Sequence, residues 1–147
     1  MDVFAADVES VLRRSGWFPG RTVGIEGYKE ELSGFTWHEA AEKFLGEFGG
    51  ISVDVHGAGQ SVAREPFEID PELAIGEEGR FEELSQKFQR KFFPVGEIGR
   101  GEFFIAIDEE AVLYLVGVWA FRLGVCTEGL TSMIRGVKAV KLEIPDR

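Results

Sequence analysis

The sequence predicts an α+β fold, a mostly antiparallel sheet flanked by helices. Three observations lead there. Apolar residues recur at helical spacing early in the chain and at alternating spacing later, in the order helices, strands, helix, strands, helix. Two apolar runs, Glu102 to Asp108 and Ala111 to Val116, join at Asp108-Glu109-Glu110 and read as a hairpin in mid-sheet. The chain has 147 residues, 44% of them hydrophobic, which suits one domain with a core that needs no disulfide or metal. Residues 1–147 are therefore expected to form a single domain.

Taken in order, Phe4, Val8, Val11 and Leu12 share a helical stripe, Arg13 and Arg14 suit the helix's negative end, and Gly16 suits its stop. Trp17-Phe18-Pro19-Gly20-Arg21 reads as a turn, with Trp17 plugging the sheet behind the first helix. Arg21 beside it is left as a contact residue, an aromatic-plus-Arg pairing being enriched at interfaces. Ile25, Tyr28 and Leu32 predict a short second helix ending at Gly34. Thr36-Trp37-His38-Glu39 has capping-box spacing with Thr36 as the cap, and Ala41, Phe44, Leu45 and Phe48 follow on one face before Gly49-Gly50.

Ile51, Val53 and Val55 alternate with polar residues as a half-buried strand does, Gly57 to Gln60 is a turn, and Ser61 to Arg64 is the returning strand. Asp70-Pro71 starts a helix, Asp as N-cap and Pro at the first position, and Phe81, Leu84 and Phe88 mark the helix that follows. Phe92-Phe93-Pro94-Val95-Gly96 reads as a strand ending in a turn. Val118 to Leu123 is a further strand or a structured loop carrying Trp119, Thr127 to Arg135 a last helix, and Val137 to Ile144 an edge strand or ordered tail.

Charge is the second signal. With 16 basic and 26 acidic residues the formal net charge is −10. Glu26 to Glu83 holds 15 acidic and 4 basic residues, so the remainder is near neutral. The densest stretch carries Glu65, Glu68, Asp70, Glu72, Glu77, Glu78, Glu82 and Glu83 against Arg80 alone. Such a balance argues against nucleic-acid binding through phosphate neutralisation and favours a cationic partner. No apolar run approaches the ~20 residues of a membrane span. The N-terminus lacks a charged n-region and apolar h-region, and the single cysteine, Cys126, permits no internal disulfide, so a cytoplasmic setting is expected.

Catalytic and metal chemistry find little support in the residues. Gly57-Ala58-Gly59-Gln60 lacks the third glycine and the following helix of a dinucleotide loop. His38 and His56 are the only histidines, and an Asp54–His56 pair on one strand face is not a metal site. Cys126 reads as a small hydrophobe rather than a nucleophile, and Glu65 with Asp70 as a chance carboxylate pair in an acidic chain. No catalytic residue, metal or cofactor is expected.

Several phrases then occur together in order. Leu12-Arg13-Arg14-Ser15-Gly16-Trp17-Phe18-Pro19-Gly20-Arg21 is followed by Ala40-Ala41-Glu42-Lys43-Phe44-Leu45-Gly46-Glu47-Phe48-Gly49-Gly50 and Glu65-Pro66-Phe67-Glu68-Ile69-Asp70-Pro71. Gly76-Glu77-Glu78 with Arg80-Phe81, Phe93-Pro94-Val95-Gly96-Glu97, Ile105-Ala106-Ile107-Asp108-Glu109, and Tyr114-Leu115 with Trp119 complete the set. From roughly Val3 to Val137 the chain resembles the third group of SUKH-superfamily immunity proteins of bacterial polymorphic toxin systems, leaving 138–147 as a tail. The resemblance implies a SUKH-like, non-enzymatic domain that binds a cognate toxin domain and blocks it, many such toxins being nucleases. It marks Trp17, Pro19, Gly20, Gly49, Gly50, Pro66, Phe67, Pro71, Pro94, Gly96 and Trp119 as structural punctuation. The charge map adds Glu65, Glu68, Asp70, Glu72, Glu77, Glu78 and Glu82 as partner-binding candidates, and the pairing with Trp17 adds Arg21. The alternative is a regulatory or scaffolding module using the same fold. Neither reading sets the oligomeric state.

Overall fold

Seven strands follow one another across a single antiparallel sheet in the computed structural model, which describes residues 3–145. Residues 1–2 and 146–147, the ends of the expected domain span and of the tail, lie outside the described residues. The strands are β1 (Ser52–Val53), β2 (Phe67–Glu68), β3 (Phe93–Ile98), β4 (Phe103–Ile107), β5 (Val112–Val116), β6 (Ala120–Val125) and β7 (Val140–Lys141). Helices α1 (Ala6–Arg14), α2 (Glu26–Glu31) and α3 (Glu39–Phe48) precede the sheet, α4 (Glu78–Phe88) stands between β2 and β3, and α5 (Cys126–Arg135) between β6 and β7. This is the α+β architecture that the periodicities predict.

Both faces of the sheet's middle are apolar because β4 and β5 are continuous apolar runs whose side chains alternate between the faces. Opposite pairs on β4 and β5 put Ile107 with Leu113 on one face and Ala106 with Tyr114 on the other. Helix α5 covers the first face so closely that a Cβ on Gly129 would meet the Leu113 side chain at 2.8 Å. Helix α4 covers the second: the Phe81 ring lies 5.8 Å from that of Phe104, and Phe88 meets Phe92, whose ring stands 4.9 Å from Tyr114.

Helix α1 buries Val8 and Leu12, with Asp7 and Glu9 in its first turn and Arg13 and Arg14 in its last, as the helix dipole favours. Asp7 also accepts a hydrogen bond from Arg135 at the end of α5, which holds the Asp7 carboxyl below its usual range. The ring neighbours of Trp17 are Phe4 at 5.3 Å and Phe48 at 6.3 Å, and its indole N–H donates to Glu47 at 2.9 Å. Trp17 therefore fills the seam between the N-terminal segment and α3, where the sequence placed it against the sheet.

Other expectations shift for identifiable reasons. Helix α3 is capped by His38, not Thr36: Nδ1 accepts the Ala41 N–H at 3.2 Å, which leaves Nε2 to donate to the carbonyls of Lys91 and Ile107. The strand that pairs with β1 is β2, not Ser61 to Arg64. Residues 60–62 instead donate their N–H groups to the carbonyls of Arg135 and Gly136, and a single bridge joins Ala58 and Ala63. Asp70 does cap a helix start, but the turn Pro71–Ala74 is 3₁₀ and stops at Gly76, φ +99°, before α4 begins. Gly96 is inside β3 rather than in a turn, because a Cβ there would stand 1.9 Å from the Glu68 carbonyl oxygen. Val118 to Leu123 resolves into β6, and the tail supplies β7 on its edge.

The β4–β5 turn is built on Asp108, a carboxylate only 1% exposed. Oδ1 accepts the N–H groups of Glu110 and Val112, and Oδ2 accepts the Tyr114 hydroxyl at 2.6 Å and faces Arg90 at 3.4 Å. Burial above all, then the hydrogen bond to Asp108, pushes the Tyr114 phenol well above its ordinary value. We expect Asp108→Ala to cost about 3–5 kcal/mol and Tyr114→Phe about 1–2 kcal/mol in urea unfolding. A phenol raised by folding stabilises fully below its unfolded value of about 10 and loses that contribution as pH rises beyond it. The unfolding midpoint should therefore fall above about pH 10, less steeply in Tyr114→Phe.

Candidate partner-binding surface

The acidic stretch does not form one patch. Its carboxylates line three separate hollows, and each takes the surroundings of its element. Glu65 lies in the loop before β2 and borders a groove with Glu102. Glu68, on β2, lines a depression of about 320 Å³ with Asp54, Glu97 and Arg100. Asp70 spends Oδ1 on the Glu72 N–H at 3.0 Å. Burial first, then the charges of Asp70 and Glu72, raise the Tyr28 hydroxyl. Glu77 is paired with Arg80 at 2.7 Å. Glu78 and Glu82 share a hollow of about 490 Å³ with Phe35, Gln86 and Lys91.

Of these places, the depression has the most pointed chemistry. Strand register sets Glu68 directly opposite Glu97, with Ser52 opposite Glu68 on the other side. Directly opposed like charges destabilise a sheet pair. The sequence forces the approach, because Gly96 lets the β3 backbone press against Glu68. Asp54 at the rim contacts His56, so the expected same-face pair is met geometrically. Among the described residues no three His, Cys, Asp or Glu side chains converge as metal ligands would. What the arrangement can do is attract a cationic group brought by another molecule.

Arg21 lies elsewhere, on a cleft of about 930 Å³ between the Trp17–Thr22 segment, α3 and the β4–β5 turn. Its guanidinium donates to the carbonyls of Glu47 at 2.6 Å and Gly49 at 2.8 Å, so it closes the C-terminal end of α3. Cys126 lines the same cleft, and its N–H donates to the Ala111 carbonyl. Both ring nitrogens of His38 are engaged with main-chain groups. Glu65 and Asp70 are spent on different surroundings, the groove and a cap.

The punctuation residues sit at joints. Pro71 opens the 3₁₀ turn, Gly50 has φ +87° after α3, and Pro94 and Gly96 flank the register shift of β3. Pro66 accepts the Gly99 N–H, which closes the β3–β4 turn on the chain entering β2. Trp119 donates its indole N–H to the Leu142 carbonyl at 2.7 Å and so pins the tail. Sequence reasoning did not single out Glu97 or Glu102. The signal for Glu97 was present in Phe93-Pro94-Val95-Gly96-Glu97, but reading Gly96 as a turn took the residue off the strand.

A family model described as SUKH-3 immunity protein matches residues 4–136. No curated protein and no solved structure matches the chain significantly. The opposed pair makes a sharp expectation: Glu68→Gln should stabilise the isolated domain by a few tenths of a kcal/mol, read as a higher urea midpoint. A lower midpoint would mean that the carboxylates help hold the fold.

Proposed function

We propose that this chain, which belongs to the SUKH-3 immunity protein family, binds a cognate bacterial toxin domain one to one and covers its active or substrate-binding surface. The observation that carries this reading is the match over 4–136, which spans α1 to the end of α5. The carboxylates that the fold leaves exposed support the electrostatic part. Glu68, Glu72 and Glu82 are exposed, and Glu68 sits opposite another carboxylate at the expense of sheet stability. A partner's Lys or Arg would remove that repulsion on binding.

A toxin that handles nucleic acid needs a cationic surface, and an acidic protein can occupy it in place of the phosphate backbone. A nuclease is therefore the toxin class that we favour, met in the cytoplasm of the producing cell. Long-range attraction sets a fast encounter, and a small buried apolar or aromatic contact sets the lifetime of the complex.

The test uses the toxin domain encoded beside this chain's gene. Co-expression should restore growth to cells that carry the toxin. The triple variant Glu72→Lys, Glu78→Lys, Glu82→Lys should bind at least about tenfold more weakly at low salt, with the difference shrinking as salt screens it. Unchanged affinity in titration calorimetry would remove this surface, and failure of the wild-type chain to neutralise the toxin would remove the immunity reading.

A further inference from the structure

Helix α5 stops before the sheet does. Its cap, Gly136, has φ +69°, and the chain turns away toward β7. Beyond that end the sheet face is still apolar. Phe103, Leu115, Phe121 and Leu123 form the floor of a groove of about 340 Å³, with Met133 of α5 along one side and Val62 along the other. Leu115 and Phe121 are directly opposite on β5 and β6, and the Phe103 and Phe121 rings meet edge to face at 5.8 Å. Apolar strand residues normally continue under a helix or a loop; here Leu123 is buried, but Phe103, Leu115 and Phe121 are left half-covered.

The groove is preformed. The loop that carries Val62 is tied to the end of α5 through the N–H groups of Gln60, Ser61 and Val62, and Lys138 donates its N–H to the Ser61 hydroxyl at 2.8 Å. Gly59 and Gly136 let the two backbones touch, since a Cβ on Gly59 would lie 2.7 Å from the Gly136 Cα. A wall fixed in this way needs no ordering when something enters. Val62 itself is 40% exposed, so the wall presents an apolar side chain to the opening.

Charge indicates what enters. Glu65 and Glu102 stand on the groove with Lys138 as the only cation lining it among the described residues. The acidic depression belongs to the other face of the sheet: Glu97 stands opposite Phe104, which faces α4, whereas the groove floor faces α5. An apolar slot with two carboxylates at its rim has the anatomy of an interface centre with a charged rim.

We propose that this groove seats an aromatic side chain of the cationic toxin, and that Lys or Arg residues next to that side chain reach Glu65 and Glu102. The proposal rests on the immunity reading and gives that reading its anchor. The aromatic ring closes over Phe103 and Phe121 and excludes water, while the carboxylates orient the approach.

The experiment titrates the purified toxin domain encoded beside this gene into the full chain and two variants, at low and high salt. Val62→Asp charges the wall at an exposed loop position, and Glu65→Lys with Glu102→Lys reverses the rim without touching the floor. Thermal melts establish that both fold. Val62→Asp should weaken binding at least about tenfold at either salt concentration. The rim variant should slow association at low salt and approach wild type at high salt. If both folded variants bind like wild type while the Glu72, Glu78 and Glu82 reversal weakens binding, the groove is overturned and the immunity reading stands. If the wild-type chain does not bind this toxin, the reading itself fails, and the groove assignment with it.

Discussion

The Asp108 carboxylate is the constraint on which the rest of the structure depends. It is buried between β4 and β5 and is matched on every side by donors: two backbone N–H groups of its own turn, the Tyr114 hydroxyl and the Arg90 guanidinium. A charge in that position is tolerated only because each lone pair is used. The turn it shapes is a junction as well. Ile107 offers its carbonyl to His38 at the start of α3, Ala111 accepts the N–H of Cys126 at the start of α5, and Glu109 accepts the N–H of Lys91 just after α4. Three helices thus take their positions from one hairpin, and Ala111 pays for its place there with φ +65°.

This divides the acidic residues into two kinds. Asp108, Asp70, Glu47 and Glu109 accept hydrogen bonds that hold turns, caps and aromatic side chains in place. Glu68 and Glu97 oppose each other across a ladder instead. A net charge of −10 is therefore a poor guide until each carboxylate is placed. What the fold has already used cannot also serve as a docking charge, and what it leaves in mutual repulsion is poised to welcome a cation.

Much of the fold was legible because burial imposes simple periods. The Phe4, Val8 and Leu12 stripe, the Phe44 to Phe48 face and the alternation at Ile51, Val53 and Val55 all point inward as read. The errors share one cause: a local rule was overruled by a contact with a distant segment. Thr36 has the spacing of a cap, but His38 caps α3 and can also reach β4. Gly96 looks like a turn, but it is needed where β2 crowds β3. Ser61 to Arg64 looks like a strand, yet its backbone bonds are taken by the end of α5. The candidate surface was less legible still. Nearness in sequence made Glu65 to Glu83 look like one patch, whereas pairing across strands joins Glu68 to Glu97 and packing joins Glu65 to Glu102.

The central claim is that the groove between the end of α5 and the Val62 loop, with Glu65 and Glu102 on its rim, meets the toxin. Amide hydrogen exchange on the complex with the toxin domain encoded beside this gene tests it most directly. Binding there predicts slowed exchange in residues 62–65, 98–103 and 133–139, which line the groove, with little change in residues 17–22 and 39–48 around the Arg21 cleft. Protection confined to residues 17–22 and 39–48, with the groove segments exchanging as in the isolated chain, would contradict it.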